Sequence, residues 1–288
     1  MKIAIHARRI NEDRFPYLQL LLDELEHRRA EVHLSRMLRN LLKNSPVRCE
    51  QFPVYDTIPE VDFVISVGGD GTLLDTVTHV QDREYPILGI NIGRLGFLAT
   101  VSQDKIKEAL DALYHQRFSY DFRTLVSVDP SFPVEDGLNF ALNDLTIIKK
   151  DTSSMIGVHA SVDGAYLNSY WADGLIIATP TGSTGYSLSC GGPVLAPQSS
   201  NLIITPISPH NLTVRPLVVP DDSVITIEIE DRYENRLLSL DSRSYPVETH
   251  QKIFIRKAGF RVRLVKFEGY HFFNTLRQKL NWGLDVRN

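Results

Sequence analysis

Gly68-Gly69-Asp70-Gly71 concentrates the most chemistry in the fewest residues. It follows Val61-Asp62-Phe63-Val64-Ile65-Ser66-Val67, a short apolar run rich in β-branched residues. Such a run reads as a buried strand of a parallel sheet. Thr72-Leu73-Leu74-Asp75-Thr76-Val77 then reads as the start of a helix. A strand, a glycine turn and a helix start form a cradle for phosphate, because glycines let a bulky anion approach free backbone N–H groups. A carboxylate inside that cradle would repel phosphate. It makes sense if Asp70 accepts a proton from an attacking hydroxyl or holds a metal ion. The plain alternative is an N-cap, worth about 1 kcal/mol.

A second dense stretch is Asp173-Gly174-Leu175-Ile176-Ile177-Ala178-Thr179-Pro180-Thr181-Gly182-Ser183-Thr184-Gly185-Tyr186-Ser187-Leu188-Ser189. A buried strand runs into a loop crowded with hydroxyls, and a helix is expected after it. Hydroxyls and N–H groups there suit ribose, a base edge or phosphate, and Tyr186 offers a flat face to a base. The alternative is a polar turn with a core tyrosine. A third pair, Asn143-Asp144, stands at the start of a strand. An amide can read a base edge and a carboxylate can grip a ribose diol. Taken alone, such a pair is also a common turn.

Several signatures are missing. No Gly-Lys-Ser/Thr occurs, so there is no Walker loop. Gly89-x-x-x-Gly93-x-x-Gly96 misses the dinucleotide fingerprint by one residue, and Gly182-Ser183-Thr184-Gly185 lacks the serine-hydrolase elbow spacing. The nine histidines show no metal-ligand spacing, and no residue is assigned to a metal. Cys49 and Cys190 form no Cys-x-x-Cys pair and are expected as reduced thiols of a cytoplasmic protein. The sequon Asn211-Leu212-Thr213 is read as chance.

The elements that must position these groups fall into two patterns. Up to residue 122, strand and helix signals alternate: Ile3 to His6, the broad helix face of Tyr17, Leu18, Leu20, Leu21, Leu22 and Leu25, then Phe63 to Val67, Pro86 to Asn91, and Ile106, Leu110 and Leu113 with Ser102 as N-cap. Alternation predicts a doubly wound parallel α/β domain over 1–122. From 123 to 270 strands dominate, at Leu125 to Val128, Asn143 to Ile148, Val158 to Val162, Leu175 to Thr179, Val224 to Ile229 and Arg261 to Phe267. Turns such as Asp163-Gly164 separate them, which predicts a mostly antiparallel β domain. Phe272, Phe273, Leu276 and Leu280 predict a helix in a segment, 271–288, that packs back onto the first domain.

The chain has 288 residues, 43% hydrophobic, enough for two cores. Net charge is −4 with 31 basic and 35 acidic residues and no single-sign block, which gives no reason to expect nucleic-acid or membrane binding. The N-terminus enters a strand pattern directly, so no signal peptide is expected, and no apolar run spans a bilayer.

Taken together, Gly68-Gly69-Asp70-Gly71-Thr72, Leu142-Asn143-Asp144 and the stretch from Asp173 through Ser189 to Gly191-Gly192-Pro193 closely resemble the NAD kinase family. Weaker echoes are Pro209-His210-Asn211-Leu212-Thr213-Val214-Arg215-Pro216-Leu217 and Leu240-Asp241-Ser242-Arg243. The first motif is shared with lipid kinases and phosphofructokinases; the Asp173–Pro193 stretch is the specific one. The resemblance implies transfer of the γ-phosphoryl of ATP to the adenosine-ribose 2′-hydroxyl of NAD, giving NADP. It implies an α/β N-terminal domain, an all-β sandwich after it, and a site between them. It makes Asp70 the proton acceptor. Gly68, Gly69, Gly71 and Thr72 would face the triphosphate and Mg²⁺ or another divalent metal. Asn143, Asp144, Asp173, Thr184, Gly185, Tyr186, Ser187, Leu188 and Ser189 would bind NAD, and Asp241 and Arg243 join the nucleotide-binding set. It also implies a homodimer or homotetramer.

Some positions depart from the family pattern. Asp144 stands where many members carry glutamate, Gly185 where alanine is common, Trp171 where some have a basic residue, and Arg243 where glutamine is frequent. These departures bear on donor preference and on NAD against NADH. Two other readings share parts of the pattern: a lipid or sphingoid kinase, which needs an apolar acceptor groove, and a non-catalytic NAD-binding regulator, which has no use for Asp70.

Overall fold

The computed structural model describes residues 1–93, 96–150, 155–230, 236–248 and 251–282. The chain forms two compact units: Met1–Phe122 with Val262–Asn288, and Arg123–Arg261. The second boundary lies inside a strand, nine residues before the position 270 expected from sequence.

The first unit begins with β1 (Lys2–His6), α1 (Phe15–His27), β2 (Glu31–Ser35), α2 (Arg36–Leu41), β3 (Val54–Tyr55), β4 (Phe63–Val67), α3 (Asp70–Val80), β5 (Ile87–Asn91), β6 (Val101–Ser102) and α4 (Ile106–Tyr114). β3-β2-β1-β4-β5 pair in that order, all parallel. β4 and β5 are buried along their whole length, as continuous apolar runs covered on both faces must be. Leu18, Leu21, Leu22 and Leu25 of α1 and Ile106, Leu110 and Leu113 of α4 pack with Ile5, Ile65 and Ile90 in one core. Ser102 makes no side-chain cap; a 3-10 turn over Gln103–Lys105 separates it from α4.

The second unit is antiparallel, two-layered and mostly strand. It continues through β7 (Phe118–Val128), β8 (Phe140–Ala141), β9 (Asp144–Lys149), β10 (Ile156–Val162), β11 (Ala165–Ala172), β12 (Gly174–Ala178), α5 (Tyr186–Ser189), β13 (Asn201–Ile207), β14 (Leu217–Pro220), β15 (Ile225–Glu230), β16 (Arg236–Leu240), β17 (Arg243–Pro246) and β18 (Lys252–Phe267). One layer runs β14-β13-β12-β9-β16-β17; the other joins β11, β10, β15 and the start of β18. Side chains of both layers, among them Leu145, Ile147, Leu175 and Ile177 from one and Val158, Ala160, Ile227 and Ile255 from the other, share a core. β10 and β11 meet at the two-residue turn Asp163-Gly164, with φ of 51° and 79°. Positive φ at both positions is what an Asp-Gly hairpin turn supplies.

The chain then returns to the first unit. Leu264 of β18 pairs with Ile87 of β5, and Val265 joins the first core. α6 (Phe272–Leu280) follows, with the Phe272 ring 6.3 Å from that of Phe97 and the Tyr270 hydroxyl donating to the Phe97 carbonyl at 3.4 Å. The tail therefore packs on the first unit as expected; residues 283–288 of that segment lie outside the described residues.

Candidate active site

The glycine turn is built at the carboxyl end of β4, where ligands bind in open α/β sheets. Gly68 has φ +155°, and a Cβ there would lie 2.3 Å from Thr72 Oγ1, so no other residue fits. Gly69 and Gly71 are different: a Cβ on either meets nothing within 4 Å. The protein's own packing does not demand glycine at these two positions. They leave the start of α3 open.

Asp70 is the first residue of α3 and Gly69 is the N-cap, so the capping role does not fall to Asp70. Its carboxylate reaches across to a separate segment. Oδ2 accepts from Phe97 N–H at 2.8 Å; Oδ1 accepts from Leu98 and Ala99 N–H at 3.0 and 3.1 Å. Gly96 makes this approach possible, since a Cβ there would sit 1.9 Å from Asp70 Oδ1. A carboxylate offers about four lone-pair sites. Among the described residues, the backbone fills three, and one remains on Oδ2. Sequence reasoning registered Gly96 only as a failed dinucleotide fingerprint. Its value as a seat for a carboxylate 26 residues away is invisible without the fold.

In the second unit, Asp241 repeats the device. It sits in the β16–β17 turn at φ 54° and accepts from the N–H groups of Leu142, Asn143 and Asp144 at 2.9, 2.8 and 3.3 Å. Burial raises Asp241 above the usual carboxylate range, opposed by those three donors and by Arg243. Arg243 donates to the carbonyls of Leu138 and Phe140, with its guanidinium over the Phe140 ring at 5.5 Å. Sequence resemblance assigned both residues to the nucleotide. Three of the four Asp241 lone pairs and two Arg243 N–H groups go to the protein's own backbone, which fits a positioning role for the 138–144 segment.

That segment presents Asn143 and Asp144. The Asn143 side-chain amide has no hydrogen-bond partner among the described residues. Asp144 is buried, and desolvation with repulsion from Asp241 lifts its carboxyl to about 6, although Thr146 Oγ1 donates to it at 2.9 Å. Its Oδ2 lies 4.0 Å from where a Gly185 Cβ would stand, so the glycine keeps that oxygen uncrowded. Tyr186 is raised by burial first, then by the charges of Cys190, Asp173 and Asp144. At 41% exposure the ring is no core residue. Asp173 pairs with Lys149 at 2.7 Å. Lys149 was not anticipated; in sequence it is merely the end of a strand.

The hydroxyl-rich loop divides into two groups. Thr179 donates to the Leu142 carbonyl at 2.6 Å, Ser183 to that of Pro180 at 2.7 Å, and Ser187 pairs with Thr205 at 2.8 Å; all are buried. Thr181 accepts from Arg123 at 3.2 Å. Gly182 lies against Asn143, its missing Cβ 2.0 Å from that carbonyl. Thr179 and Gly182 hold the loop against the 142–143 backbone, and the other buried hydroxyls bond within the loop or to Arg123 and Thr205. Ser187, expected to bind NAD, belongs here. Thr184, Gly185, Tyr186, Leu188 and Ser189 retain exposure. The helix expected after the loop is one turn, Tyr186–Ser189.

The models of the ATP-NAD kinase N-terminal and C-terminal domains match residues 21–118 and 142–267. The NAD kinase of Cytophaga hutchinsonii is 45% identical over the full length of both chains. The chain belongs to the ATP-NAD kinase family. Identity is 42% to the NAD kinase of Flavobacterium psychrophilum and 39% to that of Bacteroides fragilis, again over the full length of both chains. Among solved structures, an NAD kinase from Archaeoglobus fulgidus in complex with ATP aligns with a TM-score of 0.77 at 26% identity, covering 98% of this chain and 99% of that one. Yeast NADH kinase complexed with NADH aligns with a TM-score of 0.87 at 22% identity, covering 100% and 89%, which shows a shared fold.

Proposed function

We propose that this ATP-dependent NAD kinase transfers the γ-phosphoryl of ATP to the 2′-hydroxyl of the adenosine ribose of NAD, with Asp70 as the proton acceptor. The observation that carries the assignment is the lone Asp70 carboxylate at the glycine turn, fixed by three backbone N–H groups with one Oδ2 lone pair left. A ribose hydroxyl is a poor nucleophile at neutral pH. A fixed carboxylate can take its proton as the bond to phosphorus forms, typically for 10²–10⁴-fold. Orientation is the protein's other contribution, and the three amides supply it for Asp70.

The open backbone at Gly69 and Gly71 suits a triphosphate. A single Oδ2 lone pair serves a proton or one bond to a hydrated cation, not both together. With Asp70 as proton acceptor, Mg²⁺ or another divalent ion accompanying the triphosphate would supply charge neutralisation. For NAD, Asp144 and Asp173 accept from ribose or amide groups, Asn143 reads a base edge and Tyr186 offers its exposed face. Thr184, Gly185, Leu188 and Ser189 line the approach. Homo-oligomeric assembly and a cytoplasmic location are part of the same proposal; no helix among the described residues is long and apolar enough to cross a membrane.

The test is steady-state kinetics with purified protein, varying the donor and the acceptor (NAD, NADH or a lipid alcohol) and reading the phosphorylated product of each. Phosphorylation of NADH alone, or of a lipid alcohol in place of NAD, would overturn the acceptor assignment.

A further inference from the structure

We propose that His6, Asp75 and His79 form a binding site for a divalent transition metal, apart from the nucleotide site. His6 ends β1, Asp75 lies in the middle of α3 and His79 in its last turn, and their ligand atoms lie within 4.8 Å of one another. Asp75 Oδ2 is 2.7 Å from His6 Nε2 and 3.9 Å from His79 Nε2, so one oxygen stands between two imidazoles. The two rings are 4.6 Å apart at 46°. Zinc–nitrogen and zinc–oxygen bonds of about 2.0–2.2 Å put tetrahedral ligand atoms roughly 3.3–3.5 Å apart. The observed separations bracket that value, so small side-chain rotations suffice to close the set.

Two further features favour a ligand. His6 is fully buried, and among the described residues Asp75 is the ring's one hydrogen-bond partner, through Nε2. An imidazole placed there at a desolvation cost, with only Asp75 as partner, is not explained by core packing. Asp75 and His79 keep side-chain exposures of 24% and 31%, which leaves an entry path and room for a water in the fourth position. Two histidines and a carboxylate select zinc, iron, nickel or copper rather than magnesium, which takes oxygen ligands. This separates the site from the ion that accompanies ATP. Arg8 also acts on Asp75 and competes with a cation there, so the affinity should be moderate. The site would tie β1 to α3, the helix that opens with Asp70.

The sequence signal was Asp75-x-x-x-His79, one helical turn apart on one face. It passes unnoticed because its third member is 69 residues away.

The experiment titrates Zn²⁺ into nucleotide-free, chelator-treated full-length protein in competition with a chromophoric chelator, with Mg²⁺ as control. Wild type should bind one equivalent with a rise in melting temperature that Mg²⁺ does not reproduce. His79→Gln and Asp75→Asn should each weaken Zn²⁺ binding by at least about tenfold and abolish the thermal shift. His79 is partly exposed, so His79→Gln tests the site even if Asp75→Asn unfolds. Absent binding, or equal binding and equal thermal shift in wild type and His79→Gln, would overturn the proposal.

Discussion

Replacing Asp144 by Asn should make the protein more stable and a poorer NAD kinase, and the stability gain should depend on pH. Burial and the neighbouring Asp241 raise the Asp144 carboxyl from 3.8 to about 6. In an unfolded chain the same group ionises near pH 4. Between these values the folded state binds more protons than the unfolded one, so stability falls as pH rises. The loss begins near pH 4 and is complete once pH has passed about 6. At about 1.4 kcal/mol per pH unit, it amounts to roughly 3 kcal/mol at neutral pH. Asparagine keeps the shape and can still accept from Thr146, but never ionises. The variant should therefore melt higher than wild type at pH 7.5, by roughly 5–10 °C for a chain of this size, and only slightly higher at pH 4. Its NAD affinity should drop, since losing a charge-assisted hydrogen bond costs about 1.5–3 kcal/mol, roughly ten- to a hundredfold. Calorimetric melting of both proteins at the two pH values, with NAD titrations at pH 7.5, is the assay. An equal melting difference at pH 4 and 7.5 would refute the argument, because the cost of burying the ionised form would then be absent. A carboxylate kept at such a cost is understandable only if the ligand uses its charge.

Other substitutions probe the first unit and the NAD face. Asp70→Asn should lower kcat by about 10²–10⁴-fold. It should also lower the melting temperature, because its amide NH₂ must face a backbone N–H of residues 97–99; retention of more than half of wild-type kcat would exclude the base. Gly69→Ala adds a Cβ that meets nothing in the protein, so melting should be unchanged while the ATP KM rises; an unchanged ATP KM would remove the triphosphate from that turn. Tyr186→Phe should bind NAD as wild type does, and Tyr186→Ala should weaken binding by about 1–3 kcal/mol, the worth of a base stack, with little change in melting, as measured by calorimetry.

The sequence by itself determined the kind of structure and the reaction class. Continuous apolar runs such as Phe63–Val67 can only be covered on both faces, and alternating runs beyond residue 123 can only be half covered, so the parallel unit and the β unit follow from patterning. Short strands such as β14, β16 and β17 carry little periodicity of their own and are set by their partners, whereas β13 is a largely apolar run whose Pro206 disguises it. Asp70, Asn143, Asp144 and Tyr186 were legible because their residue types and neighbours are unusual for a turn. What each does was decided by tertiary structure, since a polar atom's role depends on what fills its lone pairs. Asp70 and Asp241 are the same residue type in similar glycine- or turn-rich contexts, and each clamps three consecutive amides. Ser187 and Tyr186 are adjacent, yet Ser187 is buried on Thr205 and Tyr186 faces outward. His6 meets Asp75 only because β1 and β4 are paired in parallel with α3 packed beside them. Contacts between residues far apart in the chain leave no local trace, because the chain closes those distances only by folding.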